Sequence, residues 1–177
     1  MGAGLYPVPL DLEAMNELYI DALSKTGQKG PLDISYMWLI TDRKTGMIFL
    51  IGSSDKSHHC DFILRLTSFL RKWNPYIGDP DKNKIKGLHY NGDGVFSSAV
   101  FQRLLEKFHT KPMPVPSRQH FLSGMVERKI QSIRTTTSSY RREYNVPSMF
   151  QFFAVEFACW AWNRLVHSGH TGYFYFL

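Results

Sequence analysis

Apolar and polar residues alternate along Glu17-Leu18-Tyr19-Ile20-Asp21-Ala22-Leu23, a period of two that predicts a β-strand. The aromatic, β-prone run Ser35-Tyr36-Met37-Trp38-Leu39-Ile40-Thr41 predicts a second strand, and Met47-Ile48-Phe49-Leu50-Ile51 a third. A loop from Ser24 to Asp33, holding Gly27, Gly30 and Pro31, and a turn from Asp42 to Gly46 separate them. The three read as an antiparallel meander.

From His58 to Trp73 the period changes. Phe62, Leu66, Phe69, Leu70 and Trp73 fall on one helical face, with Arg65, Arg71 and Lys72 between them. A polar loop from Asn74 to Lys84 leads to a short strand, Ile85 to Tyr90. Ser97 or Ser98 caps a helix from Ala99 to Phe108, whose apolar side is Val100, Phe101, Leu104 and Leu105. Lys111 to Pro116 carries three prolines, which limits it to an edge strand or an extended run. Gly124 to Tyr144 predicts a long polar helix. After a break at Asn145-Val146-Pro147-Ser148, a last helix runs to about Val166 and is apolar nearly all round, as in a core or an oligomer interface. Three strands, a helix, a strand and further helices define an α/β sandwich on a mixed sheet. Residues 1–16 are a proline-containing lead-in, 17–166 the folded core and 167–177 a tail.

The 177 residues are 44% hydrophobic and 15% aromatic, enough for one domain with a real core and too much for global disorder. The net charge of +6 suits an anionic partner, nucleic acid above all, and equally suits a merely solvated basic surface. Cys60 and Cys159 form no CxxC, so no zinc finger or disulfide framework follows and a reducing compartment is expected. No run of 18 apolar residues predicts a membrane span.

The candidate chemistry lies in residues far apart in sequence. Asp21 sits within the first strand, Asn91 at the end of the fourth, and Glu127 on the long helix, 35 residues beyond Asn91. Acids at such places converge at one sheet edge and hold two divalent ions about 3.5–4 Å apart for phosphoryl transfer. Mg²⁺ takes hard oxygen ligands, so two or three carboxylates suffice. Asn91 supplies a neutral carbonyl oxygen and an NH₂ that repels a cation, so it bridges two ions poorly. Asp93 is the substitute acid, or a turn residue between Gly92 and Gly94. Glu127 alone also fits a first-turn acid favoured by the helix dipole. Glu127, Gln131, Arg134 and Ser138 share one helical face, which lies along a nucleic-acid backbone or is simply solvated. Arg128, Lys129, Arg141 and Arg142 add candidate phosphate contacts. His58-His59-Cys60 cannot converge on one ion, His167 and His170 are unpaired, and Asp42 and Asp55 read as turn residues.

Taken in order, several segments carry a resemblance: Leu18-Tyr19-Ile20-Asp21, Gly30-Pro31, Ser35 to Asp42, Asn91-Gly92-Asp93-Gly94-Val95-Phe96, Gly124-Met125-Val126-Glu127-Arg128, Val146-Pro147 with Phe150, Ala154-Val155-Glu156-Phe157-Ala158 and Asn163-Arg164. The chain resembles the catalytic core of integrases from LTR retrotransposons of the copia type, over roughly residues 17–166. The resemblance implies a ribonuclease-H-like fold with a mixed five-stranded sheet, three antiparallel strands first, flanked by helices. It implies Asp21, position 91 and Glu127 as catalytic and metal-binding residues, Mg²⁺ or Mn²⁺ as cofactor, and 3′-end processing and strand transfer as activity. It further implies DNA as partner, a homodimer, and the nucleus as location. Asn91 stands where that family has Asp, Asp93 where a Gly is usual, and Val95 where an acid is usual. The departures point to a core impaired in catalysis, or to a domesticated domain that binds DNA or a chromatin protein without chemistry.

Overall fold

The computed structural model describes residues 13–25, 32–54, 59–91, 94–115, 120–164, 166–167 and 170–171. Strands β1 (Glu17–Lys25), β2 (Tyr36–Asp42) and β3 (Ile48–Ser53) form the antiparallel meander that the alternation predicts. Helix α1 (His59–Trp73) precedes β4 (Gly87–Tyr90), with a short 3₁₀ turn at Pro80–Lys82 in the intervening loop. Helix α2 (Ala99–Lys107) is capped by Ser98, whose hydroxyl accepts from the Phe101 N–H at 3.2 Å. Strand β5 (Lys111–Pro114) follows, then α3 (His120–Glu143), a 3₁₀ turn (Ser148–Phe150) and α4 (Gln151–Arg164). Helix α3 starts four residues before the expected Gly124. The last helix ends at Arg164, and Val166–His167 pairs with His170–Thr171 in a two-residue ladder.

The sheet order is β3-β2-β1-β4-β5, with β4 parallel to both β1 and β5. The prolines of β5 are compatible with its edge position. Lys111 N donates to Lys86 O and Val115 N to Tyr90 O, so Pro112 and Pro114 take the alternate positions facing away from β4.

Period-two alternation divides β1 between two cores. Leu18 and Ile20 pack with Phe62, Leu66, Phe101 and Leu105 under α1 and α2. Tyr19 and Leu23 pack with Val126, Ile130, Ile133, Val155 and Ala158 under α3 and α4. The α4 expectation is corrected in part. Its side bearing Ala154, Val155, Ala158 and Cys159 is buried, whereas Phe153, Phe157 and Trp160 on the other side are exposed.

Candidate functional site

Because Tyr19 and Leu23 face α3, alternation turns Asp21 to that same side. In β4, Leu88 and Tyr90 belong to the opposite core, so His89 and Asn91 also point toward α3. Ile20 pairs with Tyr90 in parallel register, and one further step sets Asp21 level with Asn91 at the carboxyl ends of the two strands. The side chains meet: Asn91 Nδ2 donates to Asp21 Oδ1 at 2.7 Å, and the Ala22 N–H donates to the same oxygen at 2.8 Å. A carboxylate only accepts, so the contact fixes the amide with its NH₂ toward Asp21.

Glu127 lies exposed on α3, with no hydrogen bond or ion pair to another described residue. Seven residues on, on the same helical face, Arg134 reaches back to β1. Its Nε donates to Leu23 O at 3.1 Å, and its Nη2 bonds the same oxygen. The register of β1 with β2 shifts between Ala22 and Ser24, and Arg134 supplies the Leu23 carbonyl with donors at that irregularity. The Glu127 face of α3 thus runs over the end of β1 that carries Asp21.

The remaining candidates separate by what holds them. Gln131 and Arg142 are exposed, as is Arg128, whose Nε donates to Gly124 O one turn back at 3.1 Å. Arg141 is committed to the end of its own helix, through Val146 O and Ser148 Oγ. Lys129 projects from another side of α3 and sends Nζ to Gly46 O at 3.4 Å, in the β2–β3 turn. Burial there pushes its ammonium down to about 8, with the nearby Asp42 carboxylate opposing the shift. Asp42 is indeed a turn residue, but a fully buried one: its carboxylate accepts from the N–H groups of Met15 and Thr45 and from the Thr45 hydroxyl. Asp93, Asp55 and His58 lie outside the described residues.

A polar file beneath Asp21 and Asn91 escapes a motif-by-motif reading. Glu17, on the same face of β1, pairs with Arg43 and lies 3.2 Å from His89 Nε2. The buried His89 ring stacks on Tyr19 with centroids 4.3 Å apart. Burial would raise the Glu17 carboxyl, but its bonds to Arg43 and His89 outweigh that and hold it below 4.5. Burial holds His89 below 6.5 despite the opposing pull of Glu17. The clue in sequence is the spacing itself: 17, 19 and 21, with 89 and 91.

The donor set was tested against the divalent pair that the resemblance implies. Asp21 and Glu127 are suitable oxygens. The Asn91 NH₂ occupies the near side of Asp21 Oδ1, where a shared cation would have to sit, and an N–H is not a metal ligand. Among the described residues no three His, Cys, Asp or Glu side chains gather as a metal site. The residues present do not fit a two-ion centre.

The structure is similar to the HTLV-2 integrase catalytic core domain, solved in complex with magnesium in a dimeric form (TM-score 0.64, 19% identity, covering 92% of this chain and 96% of that one). It is similar to the catalytic core domain of BIV integrase (TM-score 0.65, 13% identity, 90% and 91% covered). It also matches a chain of the simian T-cell lymphotropic virus intasome in complex with PP2A regulatory subunit B56 gamma (TM-score 0.68, 17% identity), covering 92% of this chain and 54% of that one. No family model and no curated protein matches the sequence. The fold is therefore the ribonuclease-H-like α/β fold of retroviral integrase catalytic cores.

Proposed function

We propose that this chain is an integrase-like DNA-binding core whose polynucleotidyl-transfer chemistry is shut off at position 91. The observation that carries the reading is the Asn91–Asp21 hydrogen bond. It brings the first and second acid positions of the resemblance together at one strand edge, and it fills the space between them with an amide donor. Asp21, Asn91 and Glu127 mark the ancestral catalytic corners, and Mg²⁺ or Mn²⁺ is the cofactor of that ancestry. DNA follows the exposed side of α3, where Arg128, Gln131 and Arg142 are free to meet phosphates. The nucleus is the corresponding location, and retrotransposon descent of the copia type or later domestication the corresponding origin.

A second reading is favoured by the exposed aromatic side of α4: a domesticated module that pairs with a second copy or a chromatin protein. The two readings share the DNA surface and differ in latent chemistry. Fluorescence anisotropy with a short DNA duplex, across a salt series, tests the shared part. The expected result is binding that weakens linearly with log salt, and a slope reduced by about 1 for each of Arg128→Ala and Arg142→Ala. Failure to bind duplex at low salt overturns the DNA reading. A Mn²⁺-dependent strand-transfer assay separates the readings: the chain as written is inactive in both, and Asn91→Asp gains product only if catalysis is latent.

A further inference from the structure

We propose that Asn91 is a deamidation site, and that its conversion to aspartate turns the edge at Asp21 into a divalent-cation site. The inference rests on the metal ancestry proposed above and goes beyond it, because it gives the present chain a route back to cation binding. Three observations meet at this residue. Asn91 is solvent-exposed, one step past the last residue of β4. Its sequence neighbour is Gly92, which has no side chain to shield its backbone nitrogen. Its Nδ2 is held 2.7 Å from the Asp21 carboxylate.

The chemistry needs only water. The Gly92 backbone nitrogen loses its proton to solvent base and attacks Cγ of Asn91. The adduct expels the side-chain nitrogen as ammonia, and the chain is left as a succinimide. Asp21 Oδ1 stabilises the positive charge that builds on that nitrogen as it takes up a proton and departs. Water then opens the ring. Breaking the bond between Cγ and the Gly92 nitrogen gives aspartate; breaking the other gives isoaspartate. The sum is amide plus water to acid plus ammonia, with no change of oxidation state.

The consequence follows from the distance. Cis oxygens on an octahedral Mg²⁺, with ligands at about 2.0–2.1 Å, lie about 2.9 Å apart. The 2.7 Å between Nδ2 and Oδ1 is close to that edge. Exchanging the donor for a second carboxylate oxygen replaces an attraction with a repulsion that a shared cation relieves.

The test ages the intact chain at mildly alkaline pH. Position 91 is followed by peptide mapping with mass spectrometry, and Mn²⁺ binding by calorimetry and thermal denaturation. Fresh chain, aged chain, Asn91→Asp and aged Asn91→Gln are compared, the last because its longer side chain forms the cyclic imide poorly. The expected result is conversion at position 91. With it should come a Mn²⁺-dependent rise in Tm and an affinity tighter by on the order of tenfold, both missing from fresh chain and from aged Asn91→Gln. An aged chain that retains Asn91 overturns the proposal. So does converted chain that ignores Mn²⁺ while Asn91→Asp responds, which means the edge has been lost to isoaspartate. If Asn91→Asp itself ignores Mn²⁺, the metal ancestry fails and the switch fails with it, whatever the mapping shows.

Discussion

Asn91 and Asp21, 70 residues apart in sequence, are joined by a single hydrogen bond of 2.7 Å across the open ends of β4 and β1. That bond is a stabilising contact in the chain as it stands. Asn91→Asp removes the donor and sets two carboxylates side by side. In chelator the variant should lose about 1–2 kcal/mol, the combined loss of a charged hydrogen bond and gain of a like-charge contact at an exposed site. Asn91→Ala should lose less, because it leaves no repulsion. Urea denaturation in EDTA measures both, and equal stability of Asn91→Asp and the parent would show that the contact contributes nothing.

Arg134 is the bracket between α3 and the strand that bears Asp21. Its guanidinium serves a β1 carbonyl at the bulge. Arg134→Met keeps the aliphatic stem and deletes the donors, so it should cost about 1–2 kcal/mol, with Arg134→Lys in between. Arg128→Met, whose contact is local to α3, should cost less than about 0.5 kcal/mol. If the two methionine variants unfold at the same urea concentration, Arg134 does not tie helix to strand.

The polar file below the site sets an acid limb. The Glu17 carboxyl lies below its ordinary 4.5 in the folded state, so its stabilisation is present above 4.5 and is lost as pH falls through the folded value. His89, held neutral below its ordinary 6.5, acts in the same direction: the unfolded chain takes up its proton first, so stability begins to fall as pH drops below 6.5. Stability should thus decline from about pH 6.5 downward and more steeply below 4.5. His89→Gln should remove the upper part of the decline and Glu17→Gln the lower part, as read from urea midpoints across the pH range. An unchanged profile in both variants would place the acid sensitivity elsewhere.

Strand periodicity made the sheet legible: 17–23, 35–41 and 85–90 alternate, and alternation alone puts Asp21 and Asn91 on one face. The α3 face was legible for the same reason, since 127, 131 and 134 follow the helical period. What could not be read is which cations stay free. Lys129 and Arg141 look like phosphate ligands in sequence, yet their positions turn one toward the buried Asp42 turn and the other onto the end of α3. Nothing local signals either, because the partner carbonyls come from Gly46 and Val146. Likewise, α4 reads as apolar all round, and only the placement of the sheet decides that Ala154 and Ala158 turn inward while larger rings turn out. Small residues let the helix approach the sheet closely, which leaves its aromatics on the far side.

Those rings make the last prediction. Phe153, Phe157 and Trp160 follow the helical period, are 39%, 42% and 50% exposed, and extend a patch in which Tyr140 stacks on Phe157 and Arg164 lies 3.8 Å over the Trp160 ring. Contiguous exposed aromatics of this kind mark an association surface. Self-association through α4 predicts a concentration-dependent monomer–dimer equilibrium in sedimentation velocity. Trp160→Glu and Phe157→Ser each delete an anchor of about 2 kcal/mol, so each should weaken the dimer by on the order of thirtyfold. Neither ring belongs to the buried side of the helix, so circular dichroism and Tm should hold near the parent values. A parent that sediments as a monomer at every concentration would rule out pairing through this face and leave it to a different protein. A dimer that survives both substitutions would move the interface off α4 altogether.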